Sequence, residues 1–262
     1  MKNAAKRIYV FLIFVFLYSP IATLIVLSFN ASRTRARWGG FTLKWYEALF
    51  HNRDILQALF NTLLIALIAS VTATVIGTIA CIAIVNMKRR SRTVVMGITN
   101  IPMLNADIVT GISLMLLFIS FGFRFGMGTI LLSHITFCIP YVILSVMPRM
   151  SHLNQSVYEA ALDLGAGPLY GFFRVVFPEL LPGILSGLLM AFTMSLDDFI
   201  ITHFTKGAGV DTLSTKIYTE VKKGIKPEMY ALSALIFITV LVLLLLVNRA
   251  PDDNNNRKGS KL

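Results

Sequence analysis

Charged residues are scarce in this chain of 262 residues. Asp, Glu, Lys and Arg make up 14% of it, against about 25% in an ordinary water-soluble domain. Apolar residues fill the difference and reach 56%. This composition excludes a single water-soluble domain and argues against a disordered chain. It predicts that lipid surrounds much of the polypeptide.

Cysteine and histidine are also rare, with two and four residues. Cys81 and Cys138 lie in separate apolar segments, so we interpret both as small buried side chains, which excludes a disulfide scaffold. The histidines are scattered, which favours ordinary hydrogen-bonded side chains over metal ligands. The sequence also lacks a G-x-x-x-x-G-K-[ST] phosphate-binding loop and a recognisable catalytic triad. It therefore predicts no enzyme activity, metal or cofactor for this chain.

Long apolar segments dominate what is present. A membrane-spanning helix needs roughly 20 mainly apolar residues, and six segments qualify. The first follows a basic stretch, as in a signal peptide, but lacks a convincing cleavage site, so we expect it to remain as a span. The sequence thus predicts an all-α integral membrane protein with six transmembrane helices. The predicted spans are residues 8–29, 56–87, 94–121, 128–150, 181–204 and 231–247.

The net charge of +11 comes from basic residues beside the apolar segments rather than along one helix face. This placement favours orientation of the spans over nucleic-acid binding. The shortest loop, residues 88–92, contains four of the basic residues, and such loops stay on the cytoplasmic side. We therefore predict that both termini are cytoplasmic.

Three further segments lie outside the predicted spans. Residues 33–50 are basic and then aromatic, and we interpret them as an interfacial segment with Trp45 in the headgroup layer. Residues 206–229 have apolar side chains every four positions, which predicts a short amphipathic helix. The polar tail 251–262 is predicted to be disordered.

Residues 151–180 have the pattern of two short helices joined by a tight bend. Apolar residues recur at i, i+3, i+4 and i+7 in both halves, and Gly165 and Pro168 lie at the bend. Two small residues, Ala160 and Ala161, allow close approach of another protein surface. Periodicity alone leaves two interpretations open, a docking element for a partner or a hairpin that covers its own span ends.

The same loop resembles the EAA motif of ABC importer permeases. The resemblance lies in Glu159-Ala160-Ala161, then Gly165 after three residues, and Val175-x-Phe177-Pro178 after nine more. The family commonly has Ile and Leu where this chain has Val175 and Phe177. The resemblance implies a coupling helix that inserts into a cytoplasmic ATPase. It implies that Ala160, Ala161 and Gly165 form the close contact and that Glu159 fixes the helix end.

Three acidic residues fall inside predicted spans: Asp107, Asp197 and Asp198. An aspartate at the centre of a spanning helix costs about 2.5–3.5 kcal/mol on insertion scales, so these residues should face a cavity. Adjacent residues on a helix point about 100° apart, so only one of Asp197 and Asp198 is expected to face the cavity directly. Pro102 and Gly111 flank Asp107 and predict a broken span.

Two roles stay open for these carboxylates. They are either structural ion pairs with Arg124, Lys206 or another chain, or they line a pathway for a cation. Aromatic side chains nearby would contribute cation–π contacts in the second case. The aromatic candidates are Tyr141, Phe192 and Phe199.

Residues 133–140, 194–198 and 226–228 resemble the permeases of spermidine/putrescine ABC importers, and the likeness extends over about residues 17–245. The resemblance implies a type I importer fold, with residues 1–250 as the transmembrane permease domain. It also implies three partners: a second related permease, a dimeric cytoplasmic ATPase and an extracytoplasmic polyamine-binding protein. Asp107, Asp197 and Asp198 then become candidate contacts in a polyamine pathway.

Two alternatives remain at this stage. The same architecture could import another small solute, such as an amino-acid derivative or an iron chelate. Less consistent with the loop motif is a channel or carrier that works without ATP.

Overall fold

The structure, a computed structural model, describes residues 2–32, 36–153, 155–224 and 226–248. These residues form helices, with one isolated antiparallel bridge between Asn30 and Phe41. The all-α prediction is confirmed, while the predicted disordered tail lies outside the described residues. The helices are α1 (Lys2–Ser28), α2 (Lys44–His51), α3 (Arg53–Val85), α4 (Arg89–Leu104), α5 (Asp107–Ser120), α6 (Met127–Ser151), α7 (Gln155–Asp163), α8 (Pro168–Gly171), α9 (Phe177–Asp197), α10 (Ile200–Thr205), α11 (Leu213–Lys223) and α12 (Pro227–Asn248). A π-helical turn, Phe172–Val176, joins α8 to α9.

Four helical segments of the described chain are long and apolar enough to cross a membrane. They lie in α1, α3, α6 and the stretch Pro168–Asp197. Helices α4 and α5 together pass the same test but meet at an angle of 105°, so they would form a fifth, broken span. In α12 the apolar stretch Pro227–Ile238 is shorter. The count of six spans and the orientation of the termini therefore stay predictions.

Two compact units make up the fold. The unit formed by residues up to Leu56 and from Ile217 contains α1, α2 and α12, and α12 packs against both of the other helices. In this unit the indole Nε1 of Trp45 donates to the Asn30 carbonyl at 2.7 Å. Trp45 is 5% exposed within the chain, and its N–H has a partner inside this unit, while its position in the headgroup layer stays a prediction.

The other unit, Gln57–Lys216, is built around α6. Helices α4, α5, α9 and α10 all contact α6, and α10 also packs along α5. The side chains of α6 that face these neighbours are buried, including Val142, Val146 and both His134 and Cys138. Cys81 and Cys138 are unpaired and fully buried, as predicted.

Small residues let α3 approach α6 closely. The buried side of α3 includes Ala66, Ala69 and Ala73, while bulky residues such as Leu67 and Val71 lie on its exposed side. A Cβ added at Gly77 would lie 2.8 Å from Val142 Cγ1, so the side chain of Val142 packs directly against the backbone of α3 there. Such small-residue contacts are typical of helix pairs in membranes, where van der Waals packing drives association.

The third and fifth predicted spans are both broken. The break near Asp107, between α4 and α5, agrees with the prediction from its flanking residues. The fifth predicted span, residues 181–204, was expected to be continuous, but α9 ends at Asp197 and α10 begins at Ile200. The predicted hairpin in residues 151–180 corresponds to α7 and α8, and the predicted amphipathic helix in residues 206–229 is α11.

We predict that Gly77→Val destabilises the chain by about 1–3 kcal/mol, because the added side chain would overlap a β-branched neighbour on α6. Thermal unfolding of the purified protein in detergent measures this change. Gly97→Val is the matched control, since a Cβ at Gly97 of α4 has no atom within 4 Å. Equal unfolding temperatures for the two variants would contradict the close approach of α3 and α6.

Candidate functional site

A cavity of about 360 Å³ is lined by all three aspartates that fall inside the predicted spans. It lies where α9 ends and α5 and α10 begin, next to α6. The first residue of α5 and the last of α9 both contribute a carboxylate, so the two helix breaks meet at one place. The lining residues are Asp107, Phe137, Thr193, Met194, Asp197, Asp198, Phe199, Ile200 and Ile201.

Asp198 caps the start of α10 at the break in the fifth predicted span. Its Oδ1 accepts the backbone N–H of Ile201 at 3.1 Å, and its Oδ2 accepts the backbone N–H of Thr202 at 2.8 Å. The Thr202 hydroxyl also donates to Oδ2, at 2.8 Å. The carboxylate thus binds the free N–H groups at the start of α10, where an acceptor and a negative charge are both favourable.

His134 on α6 joins this network from the side. It is 1% exposed, its Nδ1 lies 2.7 Å from Ser195 Oγ, and its Nε2 lies 2.8 Å from Thr202 Oγ1. The Asp198 Oδ2 atom is 3.4 Å from Nε2. His134 is therefore a hydrogen-bonded side chain of the interior, as predicted.

Asp107 and Asp197 differ from Asp198 in their surroundings. Both are exposed within the chain, and neither has an ion pair among the described residues. Lys206, one of the predicted structural partners, pairs with Asp211 instead. Of the two adjacent aspartates, Asp198 is thus the structural one, and Asp197 faces the cavity with its carboxylate uncompensated.

The cavity also contains residues that the sequence did not single out. Phe137 lines it together with the expected Phe199, whereas the other aromatic candidates are not part of its lining. Phe137 also contacts the His134 ring edge-on, with centroids 5.3 Å apart. His134 and Phe137 are three residues apart on an apolar helix and therefore lie on one face. This spacing is the sequence feature that could have identified Phe137.

The second candidate site is the hairpin formed by α7 and α8. Gly165 has φ +88°, a left-handed conformation that glycine adopts without strain. Its N–H donates to the Leu162 carbonyl at 2.9 Å, and the Ala166 N–H donates to the Ala161 carbonyl at 3.1 Å. This is the Schellman arrangement that ends a helix, and it explains why a glycine stands at the bend.

The two faces of α7 have different environments. Tyr158 and Leu162 point inward and line a cavity of about 480 Å³ at the adjoining ends of α3, α6 and α9. Val157 and Leu164 lie on the outer face and are 46% and 90% exposed. The hairpin therefore covers its own helix ends with one face and leaves an apolar face free in the chain.

The predicted coupling residues are distributed along this hairpin. Glu159 and Ala160 are exposed, Ala161 is half-buried, and Gly165 is exposed at the bend. Glu159 also lines the cavity of about 480 Å³ beneath the hairpin, which we call the inner cavity. The structure thus brings the four residues to one short element, with the first alanine on the outer surface.

An irregular turn connects the hairpin to α9. In the π-helical turn the N–H of Phe177 donates to the Phe172 carbonyl, five residues back. Pro178 follows directly and has no N–H, so a regular α-helical hydrogen bond to Arg174 cannot form. The hairpin is therefore joined to a spanning helix through a non-α turn.

Comparison with known proteins gives a family match over most of the chain. Residues 73–252 match the family described as the inner membrane component of binding-protein-dependent transport systems. The spermidine/putrescine transport system permease protein PotC of Haemophilus influenzae is 35% identical over 251 residues, which cover 96% of this chain and 98% of that protein. The putrescine transport system permease protein PotI of Escherichia coli is 39% identical over 230 residues, 85% of this chain and 82% of that protein.

A solved structure shares the fold. It is the crystal structure of a bacterial ABC transporter involved in the import of the acidic polysaccharide alginate, and one of its chains superimposes with a TM-score of 0.74. The superposition covers 95% of each chain at 14% sequence identity. At that identity the likeness establishes the fold alone.

The geometry of the cavity predicts unequal effects for its adjacent aspartates. Asp198→Ala should lower the free energy of unfolding by about 1.5–3 kcal/mol, because charge-assisted hydrogen bonds to the start of α10 are lost. Asp197→Ala should change it by less than about 0.5 kcal/mol, since its carboxylate is exposed. Thermal unfolding in detergent distinguishes them. A larger effect for Asp197→Ala would contradict the assignment.

Proposed function

Because this chain belongs to the family of inner membrane components of binding-protein-dependent transport systems, we propose that it is a permease subunit of an ATP-driven importer of polyamines. The chain is a multi-pass protein of the cytoplasmic membrane. One observation carries the proposed cargo: the near full-length similarity to permeases named for spermidine and putrescine, at 35–39% identity.

The cavity lined by Asp107, Asp197 and Asp198, which we call the carboxylate cavity, supports a cationic cargo. Its volume of about 360 Å³ falls within the roughly 300–1,000 Å³ of small-molecule pockets. The uncompensated carboxylates of Asp107 and Asp197 would attract a cation, and the aromatic side chains of Phe137 and Phe199 line the same cavity. Polyamines carry several positive charges at neutral pH, so this lining suits them better than a neutral or anionic solute.

The transmembrane arrangement is part of the proposal. Six spans with both termini in the cytoplasm would put the basic loop at residues 88–92 on the cytoplasmic side, together with the α7–α8 hairpin. The inner cavity beneath the hairpin is lined from the end of α3, immediately before that basic loop, which supports a common side for both.

Three partners complete the proposed importer. A second related permease would form the other half of the pathway. An extracytoplasmic binding protein would deliver the polyamine, in line with the binding-protein dependence in the family description. A dimeric ATPase would bind the hairpin, with Ala160, Ala161 and Gly165 at the contact and Glu159 at its polar edge. The exposed apolar face of α7 supports this docking.

Alternating access follows from these parts. Closure of the ATPase pair upon ATP binding would move the hairpin, and α9 would carry that motion to the carboxylate cavity. The cavity would then open to the binding protein, receive the polyamine and return after hydrolysis. The hydrolytic chemistry belongs to the ATPase, and this chain converts its motion into a change of cavity exposure.

Two other functions make different predictions. An importer of an amino-acid derivative or iron chelate would ignore excess unlabelled spermidine and putrescine in a competition assay. An ATP-independent channel or carrier would transport with this chain alone. Uptake assays in vesicles with and without ATP, partners and competitors separate these cases.

We predict that Asp197→Asn reduces ATP-driven spermidine uptake at least about tenfold, because the cavity loses an uncompensated negative charge. The measurement uses vesicles that contain the complete transporter and labelled spermidine. Glu47→Gln on α2 is the matched control, since its carboxylate is exposed and not part of the cavity. Full uptake by Asp197→Asn, with normal assembly, would contradict a role for this carboxylate in the pathway.

A second prediction concerns the bend of the hairpin. Gly165→Val should lower uptake several-fold, because a left-handed conformation costs an L-residue about 1–2 kcal/mol and the Schellman turn would distort. Gly167→Val is the control, since Gly167 has φ −64° and open space for a side chain. Uptake and co-purification of the ATPase are measured together. Equal results for both variants would contradict coupling through this bend.

A further inference from the structure

A buried polar network spans the break in the fifth predicted span, and His134 lies at its centre. The histidine sits on α6, while its two hydrogen-bond partners lie on either side of the break. Ser195 is near the end of α9 and Thr202 is in the first turn of α10. One side chain of a third helix therefore links the two halves of the broken span.

The hydrogen bonds have a definite direction. The Thr202 hydroxyl donates its only hydrogen to Asp198 Oδ2, so Thr202 Oγ1 must accept from His134 Nε2. The His134 imidazole thus donates to the Thr202 hydroxyl, and that hydroxyl donates to the Asp198 carboxylate. Its Nδ1 contacts Ser195 independently, at 2.7 Å.

The same imidazole also supports the cavity wall. Its ring contacts Phe137 edge-on, and Phe137 lines the cavity beside the aspartates. His134, Ser195 and Thr202 are each at most 3% exposed, so water does not replace these contacts. None of the three belongs to the lining of the cavity.

We infer that His134 is a positioning residue of the transport pathway. It fixes the angle between α9 and α10, and so it keeps Asp198 bonded to the start of α10 and Asp197 directed into the cavity. Without this link the backbone is free to relax toward a continuous helix, which would turn Asp197 away from the cavity. The inference rests on the proposed function for its effect on transport, but its geometric part does not.

A thiol-accessibility experiment tests the geometric part directly. Both native cysteines, Cys81 and Cys138, are fully buried, so an Asp197→Cys variant of the full chain provides a reporter over a low background. A small cationic methanethiosulfonate reagent modifies that reporter in membranes. Thr193→Cys, one turn earlier on α9 and in the same cavity, is the control reporter.

His134→Leu introduces an apolar side chain of similar size and removes both hydrogen bonds. Because two hydrogen bonds are lost, we expect it to slow modification at position 197 at least about fivefold. The rate at position 193 should change less than about twofold. His134→Gln places a donor near Nε2 and should restore at least half of the parent rate. An unchanged rate at position 197 in His134→Leu would overturn the inference.

Transport is the second readout, measured with the complete transporter in vesicles. His134→Leu should reduce spermidine uptake at least about tenfold at normal assembly, with recovery in His134→Gln. Reduced uptake with an unchanged thiol rate would overturn the positioning role. If even the parent transports no polyamine while the thiol rates change as expected, the inference stands and the proposed cargo fails.

A second pair of variants applies if His134→Leu is not recovered as folded protein. Ser195→Ala removes the contact before the break, and Thr202→Val removes the contact after it. Each should slow modification at position 197 in the same assay. Parent-like rates in both variants would overturn the inference.

Discussion

Backbone groups that leave water must find hydrogen-bond partners inside the protein, and this requirement is most severe where a membrane helix breaks. The chain meets it at the α9–α10 break with one carboxylate, because Asp198 accepts two backbone N–H groups and a hydroxyl there. The break would otherwise leave donors unsatisfied in an apolar environment. Since Asp198 is bonded to the backbone, the adjacent Asp197 is left to give the cavity, together with Asp107, its negative charge.

Sequence reasoning predicted the features that depend on local pattern. The apolar segments, the break near Asp107 and the two helices around Gly165 follow from periodicity and from glycine and proline positions, which act within a few residues. The division of labour between Asp197 and Asp198 does not follow in this way. That division depends on His134, which approaches from another helix. The sequence of two adjacent aspartates does not indicate which one caps a helix and which one lines a cavity.

Helix α9 connects the two candidate sites. Its 21 residues correspond to about 30 Å of helix, with the π-helical turn at its start and the Asp198 break at its end. A regular helix transmits displacement as a nearly rigid element, whereas irregular turns permit a change of angle. The irregular backbone is therefore concentrated at the two ends, where motion of the hairpin would enter and where the cavity would respond.

The hairpin has an unusual distribution of side-chain size between its faces. Its inner face uses Tyr158 and Leu162 to cover the helix ends, while Ala160 is exposed on the outer face. A hairpin whose purpose was to seal its own bundle would bury its apolar stripe, since each exposed Å² forgoes about 25 cal/mol. The outer face instead exposes Val157 and Leu164, and the small Ala160 among them permits close backbone contact with another protein. This asymmetry favours a partner surface over the membrane surface as the natural environment of the outer face.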